Sequence, residues 1–136
     1  MIQRIQSLWM LLASITVFLT LQFPIYGGTL AANNTYHQLS GTDNLLVLIL
    51  TSALGTGILI NIFLYKNRKL QSRILLLAVL MEALILYLYV RQTAQYTNGS
   101  YLLWSSLHLL LLIWLILAAR GIYKDSKLIR DSNRLR

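Results

Sequence analysis

The sequence predicts an all-α integral membrane protein: four transmembrane helices in an antiparallel bundle, both termini in the cytoplasm, and a basic cytoplasmic C-terminal helix. Two observations carry this. Four apolar runs, about 7–25, 44–65, 74–90 and 101–119, each have the length a helix needs to cross a hydrocarbon core of ~30 Å at ~1.5 Å per residue. Eleven of the twelve Lys and Arg residues then fall on one side of the membrane those runs define. They lie at the N-terminus, between the second and third runs, and after the fourth, and only Arg91 falls on the other side. Basic segments are retained in the cytoplasm, which sets the orientation.

The first span follows Arg4 and ends near Phe23-Pro24, because proline disfavours helix at the residue before it. Gly27-Gly28 then breaks the chain. Thr29-Leu30-Ala31 resembles a small-residue cleavage site, but the apolar run is long for a signal core, so the first span is expected to remain uncleaved. The outer loop Tyr26–Asp43 is polar and has room for a short helix or a small cap. The second span begins after Thr42-Asp43, a plausible helix start. It carries three small-xxx-small pairs, Ala53/Gly57, Ser52/Thr56 and Thr51/Gly55. Such pairs let helix backbones approach closely in lipid, where packing drives association. They place the second span at the centre of the bundle, with Ala53, Gly55 and Gly57 at helix contacts. The same residues are also common in spans that make no such contact.

The short inner loop Lys66–Arg73 joins spans two and three as an antiparallel pair. Asn98-Gly99 in the outer loop Arg91–Ser100 is a turn signal. Tyr26, Tyr89, Tyr96 and Tyr101 fall near the outer boundary, and Trp9, Tyr65 and Tyr123 near the inner one, as interfacial anchors. Residues 1–120 form the bundle and 121–136 the tail. In the tail, Lys124, Lys127, Arg130 and Arg134 recur at spacings of three, three and four and make one basic stripe if helical. With Arg4 and Arg120 they form a cytoplasmic basic surface. The tail is expected to turn along the membrane after Gly121, on anionic lipid headgroups or against a protein partner.

The net charge of +8 would ordinarily suggest nucleic acid. Here the topology accounts for it, and the tail has no interleaved aromatics for base stacking, so nucleic acid is not expected. The absence of cysteine excludes disulfides, thiolate metal sites and cysteine nucleophiles. There is no HExxH, no GxxxxGK[ST] and no GxSxG, and one histidine within the spans is too few for a metal or haem site. No cofactor and no enzymatic activity are expected.

Glu82 is the one acidic residue within a span, and an ionisable group at that depth is costly. Counted inward from the outer span ends, it lies at ~12 Å and His108 at ~10.5 Å. Thr51 and Ser52 fall at a similar depth, and Ser105 shares a helix face with His108. Glu82, His108, Ser105, Thr51 and Ser52 thus form an intramembrane polar layer. It reads either as a belt of hydrogen bonds fixing helix register or as a proton-relay or ligand site. Since burial disfavours charge, a neutral Glu82 donating to His108 is physically reasonable.

Two stretches resemble a known family. These are Met1-Ile-Gln-Arg-Ile-Gln-Ser-Leu-Trp9 at the start and Leu117-Ala-Ala-Arg-Gly-Ile122 with Lys124-Asp125, Lys127-Leu-Ile-Arg130 and Asn133-Arg-Leu-Arg136 at the end. They are similar to a family of small four-span inner-membrane proteins from the Bacteroidota that has no established activity. The resemblance implies the inner membrane of a diderm bacterium, and no catalytic residue carries over from it. The expected role is a non-enzymatic accessory or scaffolding subunit of a larger inner-membrane complex, with a protein partner in that membrane. The alternative is a small proton-coupled transporter or ligand carrier using Glu82 and His108.

Overall fold

The computed structural model describes residues 5–134, with side chains as far as Asp131. Its elements run α1 (Ile5–Gln22), β1 (Tyr26–Leu30), β2 (Tyr36–Leu39), α2 (Leu45–Phe63), α3 (Arg68–Thr93), β3 (Tyr96–Tyr101), a 3₁₀ turn (Leu103–Ser105) and α4 (Ser106–Arg134). All four helices are long and apolar enough to cross a membrane. Asn44 and Asn67 cap α2 and α3 by accepting from Leu46 N at 2.9 Å and Leu70 N at 3.2 Å. Such caps satisfy amides that a helix start leaves without a partner.

The chain is not all-α. The two loops opposite the basic residues pair into an antiparallel sheet of order β2-β1-β3. Tyr26 stands opposite both Leu39 and Tyr101, and Gly28 opposite Gly99. Gly27-Gly28 therefore does not break the chain, and Asn98-Gly99 lies inside a strand rather than in a turn. Glycine is required here by close approach. A Cβ on Gly28 would lie 2.7 Å from the Asn98 carbonyl oxygen, and one on Gly99 would strike the Tyr26 ring. Tyr96 and Tyr101 flank Tyr26 edge-on, with ring centroids at 5.4 and 5.1 Å. The β1–β2 connection takes its reversal from Asn34, whose φ of 50° asparagine tolerates well.

Because β1 follows α1 and β3 joins α3 to the start of α4, the sheet gathers those helix ends at one end of the bundle. The short turn between α2 and α3 lies at the other end, with most of the basic residues. The helices form a ring in sequence order, closed by α1 against α4. The closest packing is α1 on α4 and on α2, and the loosest neighbours are α3 and α4. The most closely packed helix is thus α1 rather than the second span. Only one of the small pairs meets α1. Thr51 and Gly55 are buried, Ser14 Oγ donates to Gly55 O at 3.1 Å, and a Cβ on Gly55 would lie 2.9 Å from the Phe18 ring. Ala53 is exposed, and a Cβ on Gly57 would meet nothing within 4 Å, so neither makes the expected contact.

Met10, Val17, Leu54, Ile58, Leu75, Ile85, Leu111 and Leu115 fill the core, while Leu76, Leu80, Leu109 and Ile113 cover the outside. Helices apolar all round suit hydrocarbon. Tyr89 is buried inside the bundle instead of anchoring at its surface. The tail does not turn at Gly121. Helix α4 runs unbroken for 29 residues, or ~43 Å at helical rise, and Ile122 packs into the core. Gly121 serves the crossing with α1, where a Cβ would lie 2.9 Å from Gln6 Cβ.

Candidate functional site

The chemistry-bearing interior is a carboxyl–imidazole pair. Glu82 projects inward from α3 with 1% of its surface exposed, and His108 from α4 with 2%. His108 Nδ1 and Glu82 Oε1 are 2.5 Å apart. The two residues do not sit at equal depth from their helix ends. Glu82 is about three turns before the end of α3, whereas His108 is in the first turn of α4. They meet because α3 continues about three turns past Glu82 while α4 starts late, after the 3₁₀ turn.

Within hydrocarbon a net charge is expensive, so the pair is stable either as carboxylic acid with imidazole or as carboxylate with imidazolium. Both leave Nε2 protonated, hence a donor. That atom is buried with no hydrogen-bond partner among the described residues, as are Tyr89 Oη and both polar atoms of the Gln92 amide. Tyr89, seven residues beyond Glu82 on the same face of α3, sets its ring edge-on to His108 at 5.5 Å.

The remaining members of the expected layer do not join the pair. Thr51 is buried, but its hydroxyl has no partner among the described residues. Ser52 Oγ donates to Leu48 O within its own helix. Ser105 lies in the 3₁₀ turn rather than on α4, half-buried and without a side-chain hydrogen bond among the described residues.

Above the pair, a cleft of about 310 Å³ opens at the sheet end, lined by His37, Asp43, Asn44, Gln92, Gln95 and Tyr96. His37 Nδ1 and Tyr96 Oη lie 3.1 Å apart. Burial, with the Asp43 carboxylate adding to it, pushes the Tyr96 hydroxyl up from its ordinary value. No cluster of three metal-ligating side chains occurs among the described residues.

At the other end of the core is a second polar cluster. Asn61 Nδ2 donates to Gln71 O and Gln71 Nε2 to Asn61 O, each at 3.2 Å. This reciprocal clasp ties α2 to α3, with Met10 Sδ as a further acceptor for Asn61 at 3.6 Å. Gln71 was hidden from sequence reasoning because the segment Lys66–Arg73 reads as a loop. Its signal was spacing: Gln71, Leu75, Ala78 and Glu82 recur at helical intervals and share the buried face of α3.

Of the basic surface, Arg120 and Lys124 border a groove of about 390 Å³ between α1 and α4, walled by Ile5, Trp9, Leu117 and Leu128. Lys127 and Arg130 are exposed. Arg4 and the Arg134 side chain lie outside the described residues.

The chain belongs to a family described as "Domain of unknown function (DUF4293)", whose model matches residues 2–135. No curated protein and no solved structure matches it.

Proposed function

We propose that this chain is a non-enzymatic accessory or scaffolding subunit of a larger complex in the inner membrane of a diderm bacterium of the Bacteroidota type. Its basic end faces the cytoplasm and its sheet faces outward. The observation that carries this reading is the way polar groups are distributed along the core. The walls made by α2 and α3 read polar, apolar, polar: Thr51, Leu54 and Ile58, then Asn61 on α2; Glu82, Ala78 and Leu75, then Gln71 on α3. Leu111 and Leu115 complete the apolar layer from α4, and the buried polar groups of α1 near that level, Ser14 and Thr16, are taken up by the Gly55 and Leu12 carbonyls. Apolar side chains thus separate two polar clusters, each of which joins neighbouring helices. Interhelical bonds of this kind fix register. A carrier needs a polar route from one face to the other.

Anionic headgroups and a protein partner are the proposed neighbours of Lys124, Lys127 and Arg130, with Arg4 and Arg134 joining them. The runner-up is a proton-coupled carrier. The sheet-end cleft favours it, because it sets a polar cavity, lined by Gln92 one turn beyond Tyr89, at the end of the bundle where the pair lies. The test is Glu82→Leu in a tagged native chain extracted in mild detergent. A scaffold loses its high-mass assembly, and restoring hydrogen bonding with Glu82→Gln recovers it. An assembly that stays intact while solute or proton flux falls in both variants would overturn the scaffold reading in favour of the carrier.

A further inference from the structure

Helix α3 opens against its own electrostatics. Arg68 and Lys69 stand in its first turn, Arg73 one turn further, and no acid accompanies them in that first turn. A helix N-terminus carries partial positive charge, which disfavours cations and attracts anions. The carboxylate recorded beside them, Asp125 of α4, reaches Arg68 Nη2 only at 3.9 Å. Arg68 Nη1 is buried without an acceptor among the described residues.

These three bases line a cavity of about 330 Å³ with Tyr123 and Ser126 of α4. The cavity shares Ser72 and Arg73 with a second, apolar trough of about 290 Å³. That trough follows the α3–α4 seam, the loosest in the ring, between Leu76, Val79, Leu115 and Ile116. A basic pocket with a guanidinium donor to spare thus opens directly into an aliphatic groove. Guanidinium forks match phosphate oxygens, and basic pockets between spanning helices suit anionic headgroups.

We propose that this seam binds one anionic phospholipid. Its phosphate is held by Arg68, Lys69 and Arg73, and an acyl chain lies along Leu76, Val79, Leu115 and Ile116. The inference rests on the helices crossing a bilayer and not on the scaffolding role. A soluble phosphate would use the pocket and leave the trough unexplained, so the lipid is the occupant that accounts for both.

The experiment is native mass spectrometry of the full chain in detergent, titrated with phosphatidylglycerol, with phosphatidylcholine of the same acyl chains, and with glycerol 3-phosphate. Phosphatidylglycerol is expected to be retained at least about tenfold over phosphatidylcholine, with no displacement by glycerol 3-phosphate at matched concentration. Combining Arg68→Gln with Arg73→Gln lowers phosphatidylglycerol retention by about 5-fold per base removed. Arg91→Gln removes one base in the last turn of α3, at the opposite end of the helix from the seam, and leaves retention unchanged. Lys69 is exposed, so Lys69→Gln gives a reading free of packing effects should the double arginine variant fail to fold. Filling the trough with Val79→Trp lowers retention of both lipids. Equal retention of the two lipids, or equal loss from the seam and control variants, overturns the proposal. So does competition by glycerol 3-phosphate, which would mark a soluble phosphate ligand instead.

Discussion

Removing Glu82 tests whether the carboxyl–imidazole pair joins α3 to α4. In Glu82→Leu the volume changes little, so the cost is electrostatic. His108 keeps a buried ring whose Nδ1 loses Glu82 and whose Nε2 has no partner among the described residues. A buried polar group left unpaired costs ~1–3 kcal/mol, while interhelical hydrogen bonds in membranes contribute up to ~1.7 kcal/mol. A loss of about 1–3 kcal/mol follows for Glu82→Leu, and under about 1 kcal/mol for Glu82→Gln, whose amide can still donate to Nδ1. Replacing both partners by apolar groups removes the orphan. The double variant Glu82→Leu with His108→Leu should therefore be more stable than Glu82→Leu alone, by most of that loss. Equilibrium unfolding in mixed micelles, followed by circular dichroism across the four-variant cycle, measures the coupling. A double variant no more stable than Glu82→Leu, or a Glu82→Leu protein as stable as the wild type, would refute a joint between these helices.

Three further outcomes are expected. Reporter fusions after residue 136 and within Lys66–Arg73 should report cytoplasm and those within Ala31–Ser40 the outer side; an external C-terminus would invert the orientation. Gly55→Ala should destabilise the bundle by about 1–3 kcal/mol through overpacking against Phe18, whereas Gly57→Ala, into open space, should be neutral or stabilising in the same unfolding assay. Gly28→Ala should loosen the sheet, because its Cβ would press on backbone at Asn98 rather than on a yielding side chain; faster proteolysis of 26–43 in outside-out vesicles reads this, and an unchanged rate counts against it.

Hydrophobic run length is a local property, and it located the four helices. The prominence of Glu82 and His108 was equally plain, because an acid and an imidazole within apolar runs have few other partners. The depth count that brought them together started from the wrong helix ends. It put the ends at Val90 and Tyr101, whereas α3 runs to Thr93 and α4 begins at Ser106. The pairing holds because the helices are not flush. The sheet was illegible for another reason. β1 and β3 are distant in sequence, Tyr96-Thr-Asn-Gly-Ser-Tyr101 reads locally as a turn, and strand pairing depends on helices bringing the loops together.

Rotation about the helix axis was the other hidden variable. The small residues of α2 make three pairs of identical spacing, and spacing alone cannot choose among them. The choice is made from α1, where Val17 and Phe18 press on Gly55 and Ser14 bonds to its carbonyl. The same reasoning explains why Gln71 escaped notice while Glu82 did not. An acid in an apolar run is conspicuous in any frame, but a glutamine beside Arg68, Lys69 and Arg73 reads as solvated until the helix is known to begin at Arg68. Once it does, the buried face of α3 is Gln71, Leu75, Ala78, Glu82, Ile85 and Tyr89, and the three bases are left on a helix N-terminus that disfavours them. Beginning the helix at Arg68 thus both buries the amide that clasps α2 and creates the electropositive pocket at the α3–α4 seam.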